Sequence, residues 1–217
     1  MSRFSTVLFD LDGTLIDHFS AIHRCHSHTM VKLGFPAPTF ERVRSAVGGG
    51  LENAIASLVG ADRVAEALPI YRAHWDATML DDVVLLPGAR EILAAVRARG
   101  AKTAVFTNKL GSSSRLICDH LGLTPLLDAN FGAKDTPWLK PQPEFAAHAL
   151  THLGAAPATT LLVGDSPFDI AAAHAAGFPC WTVTTGTHTA AELTAAHADA
   201  VFPDLAAVST ALACPQP

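Results

Sequence analysis

Long apolar runs, clustered basic residues and paired cysteines are all missing from this chain of 217 residues. No uninterrupted apolar stretch approaches the roughly 20 residues of a membrane-spanning helix, so no membrane partner is expected. Lys and Arg number 15 against 20 Asp and Glu, a net charge of −5 with histidines neutral. No Lys/Arg block interrupts that balance, and nucleic acid is not an expected partner because affinity for its phosphates rests on clustered positive charge. The cysteines, Cys25, Cys118, Cys180 and Cys214, form no Cys-x-x-Cys pair, and a chain this long does not depend on a disulfide framework. They read as reduced thiols. Met1 is followed almost at once by a β-favouring run, without the basic and apolar regions of a secretory signal, so a cytoplasmic location is expected.

Alternation is what the chain does have. Short apolar, β-favouring runs at 6–9, 103–106, 160–163 and 181–183 are followed by segments of helical spacing at 89–99, 113–121, 143–153 and 167–176. Weaker strands are expected at 130–132 and 200–202, and a closing helix at 205–212. Continuous apolar strands alternating with amphipathic helices predict an α/β fold, a doubly wound (Rossmann-like) parallel sheet covered on both faces. The alternation breaks once. From about residue 16 to 85 there is no convincing β run, only helical segments near 20–33, 40–47, 51–58 and 62–79, separated by glycines. The expected organisation is an α/β core of residues 1–16 and 86–217 with a helical insert, 17–85, leaving the sheet after its first strand.

In an open parallel sheet, ligands bind beyond the carboxyl ends of the strands. The first run ends in Asp10-Leu-Asp12-Gly13-Thr14, the second in Thr107-Asn108-Lys109, and the third in Gly164-Asp165-Ser166-Pro167-Phe168-Asp169. Lys140-Pro141 precedes a Pro-initiated helix. Each piece alone has an ordinary reading: an acidic loop, a helix cap at Thr107-Asn108, a solvated lysine, first-turn acids. Independent caps, however, would not need to deliver a hydroxyl, a lysine and several acids to one sheet edge. Together they suit phosphoryl transfer. Asp10 and Asp12, two apart, can face the same space, where like charges need a cation or a proton. Mg²⁺ takes oxygen ligands and keeps waters, so Asp10 and Asp165, the Asp12 backbone carbonyl and a water held by Asp169 would suffice. Thr107, the Asn108 N–H and Lys140 are suited to positioning the phosphoryl group and stabilising its charge.

These four segments, in this order and spacing, resemble the motifs of the haloacid dehalogenase superfamily, and the insert resembles its small helical cap. Thr107-Asn108-Lys109 and Lys140-Pro-x-Pro are most similar to the phosphoglycolate phosphatase branch, with Glu144 standing where an Asp is common. The resemblance implies that Asp10 is a nucleophile forming an aspartyl-phosphate and that Asp12 protonates the leaving alcohol and later deprotonates water. It further implies that Lys140 bridges Asp10 and phosphate, while Thr107 and Asn108 hold phosphate oxygens. The dehalogenases themselves lack the second acid, so Asp12 argues for phosphate chemistry. The expected function is a Mg²⁺-dependent phosphomonoester hydrolase for a small phosphorylated metabolite, phosphoglycolate being the first candidate, in a monomer or homodimer. A phosphoaspartyl sugar-phosphate mutase or a pyrophosphatase is the rival within the family. A non-catalytic binding module is the rival from another class.

In the insert, Arg44, Gly49 and Gly50 are the expected substrate contacts, Arg44 for an acidic leaving group and the glycines for a loop closing over the site. His18, beside the hinge, is the histidine expected to meet substrate. His23 and His26 could share a helix face, but with no further ligand they read as a solvated His-rich surface.

Overall fold

The computed structural model describes residues 4–214. In chain order its elements are β1 (Thr6–Phe9), β2 (Ile16–Asp17), α1 (Phe19–Lys32), α2 (Phe40–Arg44), α3 (Leu51–Val59), α4 (Val64–Thr78) and β3 (Val84–Leu85). They continue through α5 (Ala89–Ala98), β4 (Lys102–Leu110), α6 (Gly111–His120), β5 (Ala129–Ala133), α7 (Pro143–Leu153) and β6 (Thr160–Gly164). The chain closes with α8 (Pro167–Ala175), β7 (Cys180–Val183), α9 (Ala190–Ala195), β8 (Ala200–Phe202) and α10 (Leu205–Ala213).

Side chains alternate across a strand, so an all-apolar strand must be buried on both faces. β1 does this. Val7 and Phe9 join a core shared with Ile92, Leu93 and Val96 of α5, Ile117 of α6 and Val208 of α10. Leu8 joins a second core with Phe145 of α7, Ile170 of α8 and Leu193 of α9. The strand order is β5-β4-β1-β6-β7-β8, every pair parallel. The chain winds outward from β1 through β4 to β5 and then returns through β6 to β8, so the doubly wound expectation holds. Its switch point lies at β1 between β4 and β6, where such sheets open a crevice.

Three local features differ from the sequence expectation. Ile16–Asp17 and Val84–Leu85 pair as a two-stranded antiparallel ribbon, so the helical segment leaves and returns through β structure. Helix α2 stops at Arg44 rather than at residue 47. Helix α9 was not anticipated; Thr189 caps it and Glu192 closes a capping box. Helices α1 to α4 bury Ile22, Val43, Ile55, Ala67, Tyr71 and Trp75 in a cluster continuous with the first core. Among the described residues no helix is long and apolar enough to cross a membrane.

Candidate active site

The carboxyl ends of β1 and β6, the first turn of α8 and the loop between β5 and α7 place three carboxylates and a lysine at the switch point. Asp10 leaves β1 with its N–H donated to the Val163 carbonyl of β6, 2.9 Å away. Asp165 follows β6, and Asp169 sits one turn into α8, whose first residue, Pro167, has the fixed φ that suits a helix start. Oxygens of Asp10, Asp165 and Asp169, all buried, lie within 4.8 Å of one another. Lys140 Nζ lies 2.8 Å from Asp10 Oδ1 and donates to Asp169 Oδ1 at 2.7 Å. Lys140 itself is aimed by Asn108. The Asn108 Oδ1 accepts from the Lys140 N–H at 2.8 Å, and Asn108 Nδ2 donates to the Lys140 carbonyl at 3.0 Å.

Glycines make the close packing possible. A Cβ on Gly186 would stand 1.8 Å from Asp165 Oδ2, and one on Gly164 would stand 2.2 Å from Asp169 Cγ. Gly13, at φ +83°, turns the chain in the left-handed region while passing the same Asp165 carboxylate.

The cluster is short of positive charge. Burial, together with the Asp169 charge and against the pull of Lys140, raises the Asp10 carboxyl to about 6. Burial and the charges of Asp10 and Asp169 push Asp165 up as well. Burial would strip the Lys140 proton, but Asp10 and Asp169 outweigh it and hold the ammonium above its usual range. One ammonium thus faces three buried acids, and Asp10 Oδ1 is out of line for a hydrogen bond to it. A divalent cation on Asp10 and Asp165 would supply the missing charge, and the all-oxygen donor set fits a hard ion such as Mg²⁺. Asp169 has both oxygens engaged, one by Lys140 and the other by the Ser166 N–H and hydroxyl. It is therefore suited to orienting Lys140 and Ser166 rather than to direct coordination.

Asp12 stands apart from this cluster. Its carboxylate accepts from Lys109 Nζ at 2.9 and 3.0 Å, and His18 Nδ1 is 3.7 Å from it. Burial alone would raise its pKa, yet the Lys109 charge and His18 hold it well below the usual carboxylate range. Only its backbone carbonyl remains for the metal role expected of it. Lys109 was given no role from the sequence. Its side chain, 8% exposed, also lies with Nζ 4.5 Å from the centroid of the Trp75 ring of α4, tying the strand end to the helical segment. The missed signal was strand period: β4 continues past residue 106, so Thr107 and Lys109 share a face.

Several expectations in the insert need correction. His18 does not line the cavity. It is fully buried against Trp75, its Nε2 donates to the Met79 carbonyl at 2.6 Å, and it backs Asp12. His26 is buried against Tyr71, and burial lowers its pKa to about 4, so it is not a solvated surface residue. His23 packs on Phe40, and its Nε2 lies 3.0 Å from the Pro38 carbonyl oxygen. Arg44 does not point into the cavity either. Its guanidinium donates to the Gly186 carbonyl beside Asp165 and sits over the Phe19 ring. Gly49 lines a neighbouring groove, whereas Gly50 lines both spaces. The Gly48 carbonyl accepts from Asn108 Nδ2 at 2.9 Å, and Gly49 packs on Phe168, where a Cβ would come to 3.0 Å.

Between the sheet edge and α1, α3 and α4 lies a cavity of about 330 Å³ reaching Asp10, Asp12, Thr107 and Asp165. Its floor carries carboxylates, a threonine hydroxyl and Lys109; its roof is largely apolar.

Comparison with known proteins agrees with this arrangement. Residues 7–183 match the family model described as haloacid dehalogenase-like hydrolase. A probable phosphatase, IndB, of Dickeya dadantii is 34% identical over 88% of this chain and 85% of its own. A plasmid-borne phosphoglycolate phosphatase of Cupriavidus necator is 31% identical over 96% of this chain and 93% of its own. A haloacid dehalogenase-like family hydrolase from Streptococcus pneumoniae superposes with a TM-score of 0.88 at 26% identity, covering 97% of this chain and 99% of that one. The fold is likewise that of a predicted phosphoglycolate phosphatase from Haemophilus somnus, with a TM-score of 0.90 at 24% identity over 97% and 99% of the two chains. The carboxylates and lysine at the switch point, the helical segment above them and the match over most of the sequence place this chain in the haloacid dehalogenase-like hydrolase family.

Proposed function

We propose that the protein is a Mg²⁺-dependent phosphomonoester hydrolase working through a phosphorylated Asp10. The observation that carries this reading is the meeting of Asp10, Asp165, Asp169 and Lys140 at the switch point, one ammonium among three buried acids. Asp10 and Asp165 would hold the ion, whose charge offsets that of the acids and of a phosphate dianion. An Asp10 carboxylate oxygen attacks phosphorus, the ester P–O bond breaks, and the alcohol leaves with a proton from Asp12. Water then attacks the acyl phosphate, gives its proton to Asp12, and releases phosphate with Asp10 restored. Lys140 and the Thr107 hydroxyl steady the phosphoryl oxygens.

Asp12 as found, anionic beside Lys109, is set to accept a proton from water. To donate one in the first half, it requires Lys109 to turn from it toward the arriving anion. Asn108 holds Lys140 rather than substrate with its side chain, leaving its backbone N–H for phosphate.

Residues 17–85 we assign as a cap domain over a core of 1–16 and 86–217. The Asn108–Gly48 and Arg44–Gly186 hydrogen bonds and the Lys109–Trp75 contact support a closed position. The roles expected of Arg44 and Gly49 thereby become closure contacts. A reducing, cytoplasmic setting suits the free thiols of Cys25, Cys118, Cys180 and Cys214. The names of the relatives make phosphoglycolate the first ester to assay. Phosphate release from a panel of esters in Mg²⁺, lost reversibly on chelation and lost in Asp10→Asn, tests the reading. Undiminished turnover after rigorous chelation would refute it.

A further inference from the structure

The chamber above the carboxylates has more room and a different lining than a two-carbon acid requires. Its volume of about 330 Å³ falls among pockets that enclose ligands well beyond that size, roughly 300–1,000 Å³. With the phosphoryl group at Asp10 and Thr107, the leaving alcohol extends under the roof. There Ile22 of α1, Leu51 and Ala54 of α3, and Tyr71 and Trp75 of α4 present apolar surface. The one cation within this stretch, Lys109, already serves both Asp12 oxygens and the Trp75 ring.

Farther out the chamber meets a second groove, of about 290 Å³, bounded by Gly50, Leu51, Leu110 and Lys134. Arg72 lines both spaces and therefore marks their junction. It is exposed, and it has no hydrogen-bond or ion-pair partner among the described residues. Lys134, the other cation at this junction, is paired with Glu52 at 3.0 Å. Asp76, one turn along α4, reaches the cavity without forming an ion pair with Arg72. An uncommitted guanidinium at the far end of an apolar chamber suits a carboxylate or a second phosphate, which it can bind through two parallel N–H bonds.

We propose that the natural substrate is a phosphate monoester of an alcohol larger than glycolate, with an apolar segment that fills the chamber and an acidic group at its far end that meets Arg72. The inference rests on the phosphomonoesterase reading and assigns that site its substrate class.

The test is kcat/KM of the full chain in saturating Mg²⁺ for ω-phosphooxy carboxylic acids of increasing length, starting from phosphoglycolate, each beside its uncharged methyl ester. Each methylene taken into the chamber raises kcat/KM about fourfold until the acid reaches Arg72. The preference for acid over methyl ester at the optimal length falls about fivefold in Arg72→Met and is partly restored in Arg72→Lys, which keeps the charge but loses the paired N–H donors. A value that is flat or falls from phosphoglycolate onward overturns the inference, as does an acid preference unmoved by Arg72→Met. Either result with esters still hydrolysed removes the substrate class alone. Hydrolysis of no ester removes the phosphatase reading and the inference with it.

Discussion

Magnesium should stabilise this protein, and the gain should depend on pH in a direction the buried carboxylates dictate. Asp10 titrates near 6 in the folded, metal-free protein against a reference of 3.8. A carboxyl raised on folding contributes stability that is complete below the unfolded pKa and is lost as pH rises through the folded one. The shift of about two units corresponds to roughly 3 kcal/mol, surrendered by the metal-free protein between about pH 4 and pH 6. Asp165 is raised too and adds in the same sense. A cation on ionised Asp10 and Asp165 offsets that cost, and binding at a hundredfold above Kd alone stabilises by about 2.7 kcal/mol. For a chain of this length, 1 kcal/mol moves Tm by about 2–4 °C. Thermal unfolding in EDTA and in excess Mg²⁺ from pH 4.5 to 8 should show a gain of roughly 6–10 °C at pH 7.5. It should fade toward pH 4.5, where protons occupy the ligands. Taking the difference between the two conditions cancels groups such as Asp12, whose low pKa acts in the opposite direction. Asp165→Asn, which removes one of the repelling charges, should raise the metal-free Tm at pH 7.5 and abolish the gain. An equal gain at pH 4.5 and 7.5, or none at 7.5, would refute the electrostatic argument.

Further expectations follow from individual contacts. Gly186→Ala puts a Cβ 1.8 Å from Asp165 Oδ2, so calorimetry should show a loss of about 1–3 kcal/mol together with weakened Mg²⁺ binding; a neutral substitution would contradict the packing. Lys109→Met removes the charge that holds Asp12 ionised, so the acid limb of the kcat profile should move to higher pH; an unmoved limb would show that the pair does not govern Asp12. Asn108→Ala frees Lys140 and the Gly48 loop together, so kcat should fall at least tenfold, and hydrogen exchange in the Gly48 loop should quicken; wild-type kcat would rule out its positioning role.

Much of this site could be read from sequence because its chemistry sits at strand ends. Asp10, Thr107 and Asp165 each follow an apolar run whose burial on both faces fixes it as a parallel strand, and the sheet brings such ends together. The capping box at Thr189 and Glu192 was also legible and would have located α9. The two-residue strands β2 and β3 are too short to carry a pattern. Helix spacing predicted that residues 17–85 would be helical, but not which way His18, His26 or Arg44 would face, since those directions depend on packing between helices. The charge state of Asp12 was out of reach for the same reason. Its governing partner lies 97 positions away, on a strand that runs farther than its apolar core.

The central claim is that Asp10 carries the phosphoryl group. Turnover of a good ester in Mg²⁺, quenched in acid within the steady state and digested for mass spectrometry, measures this directly. The account predicts one phosphoryl group on the peptide containing Asp10, released by hydroxylamine and absent from Asp10→Asn. A phosphoryl group on another residue, or full turnover by Asp10→Asn, would contradict it.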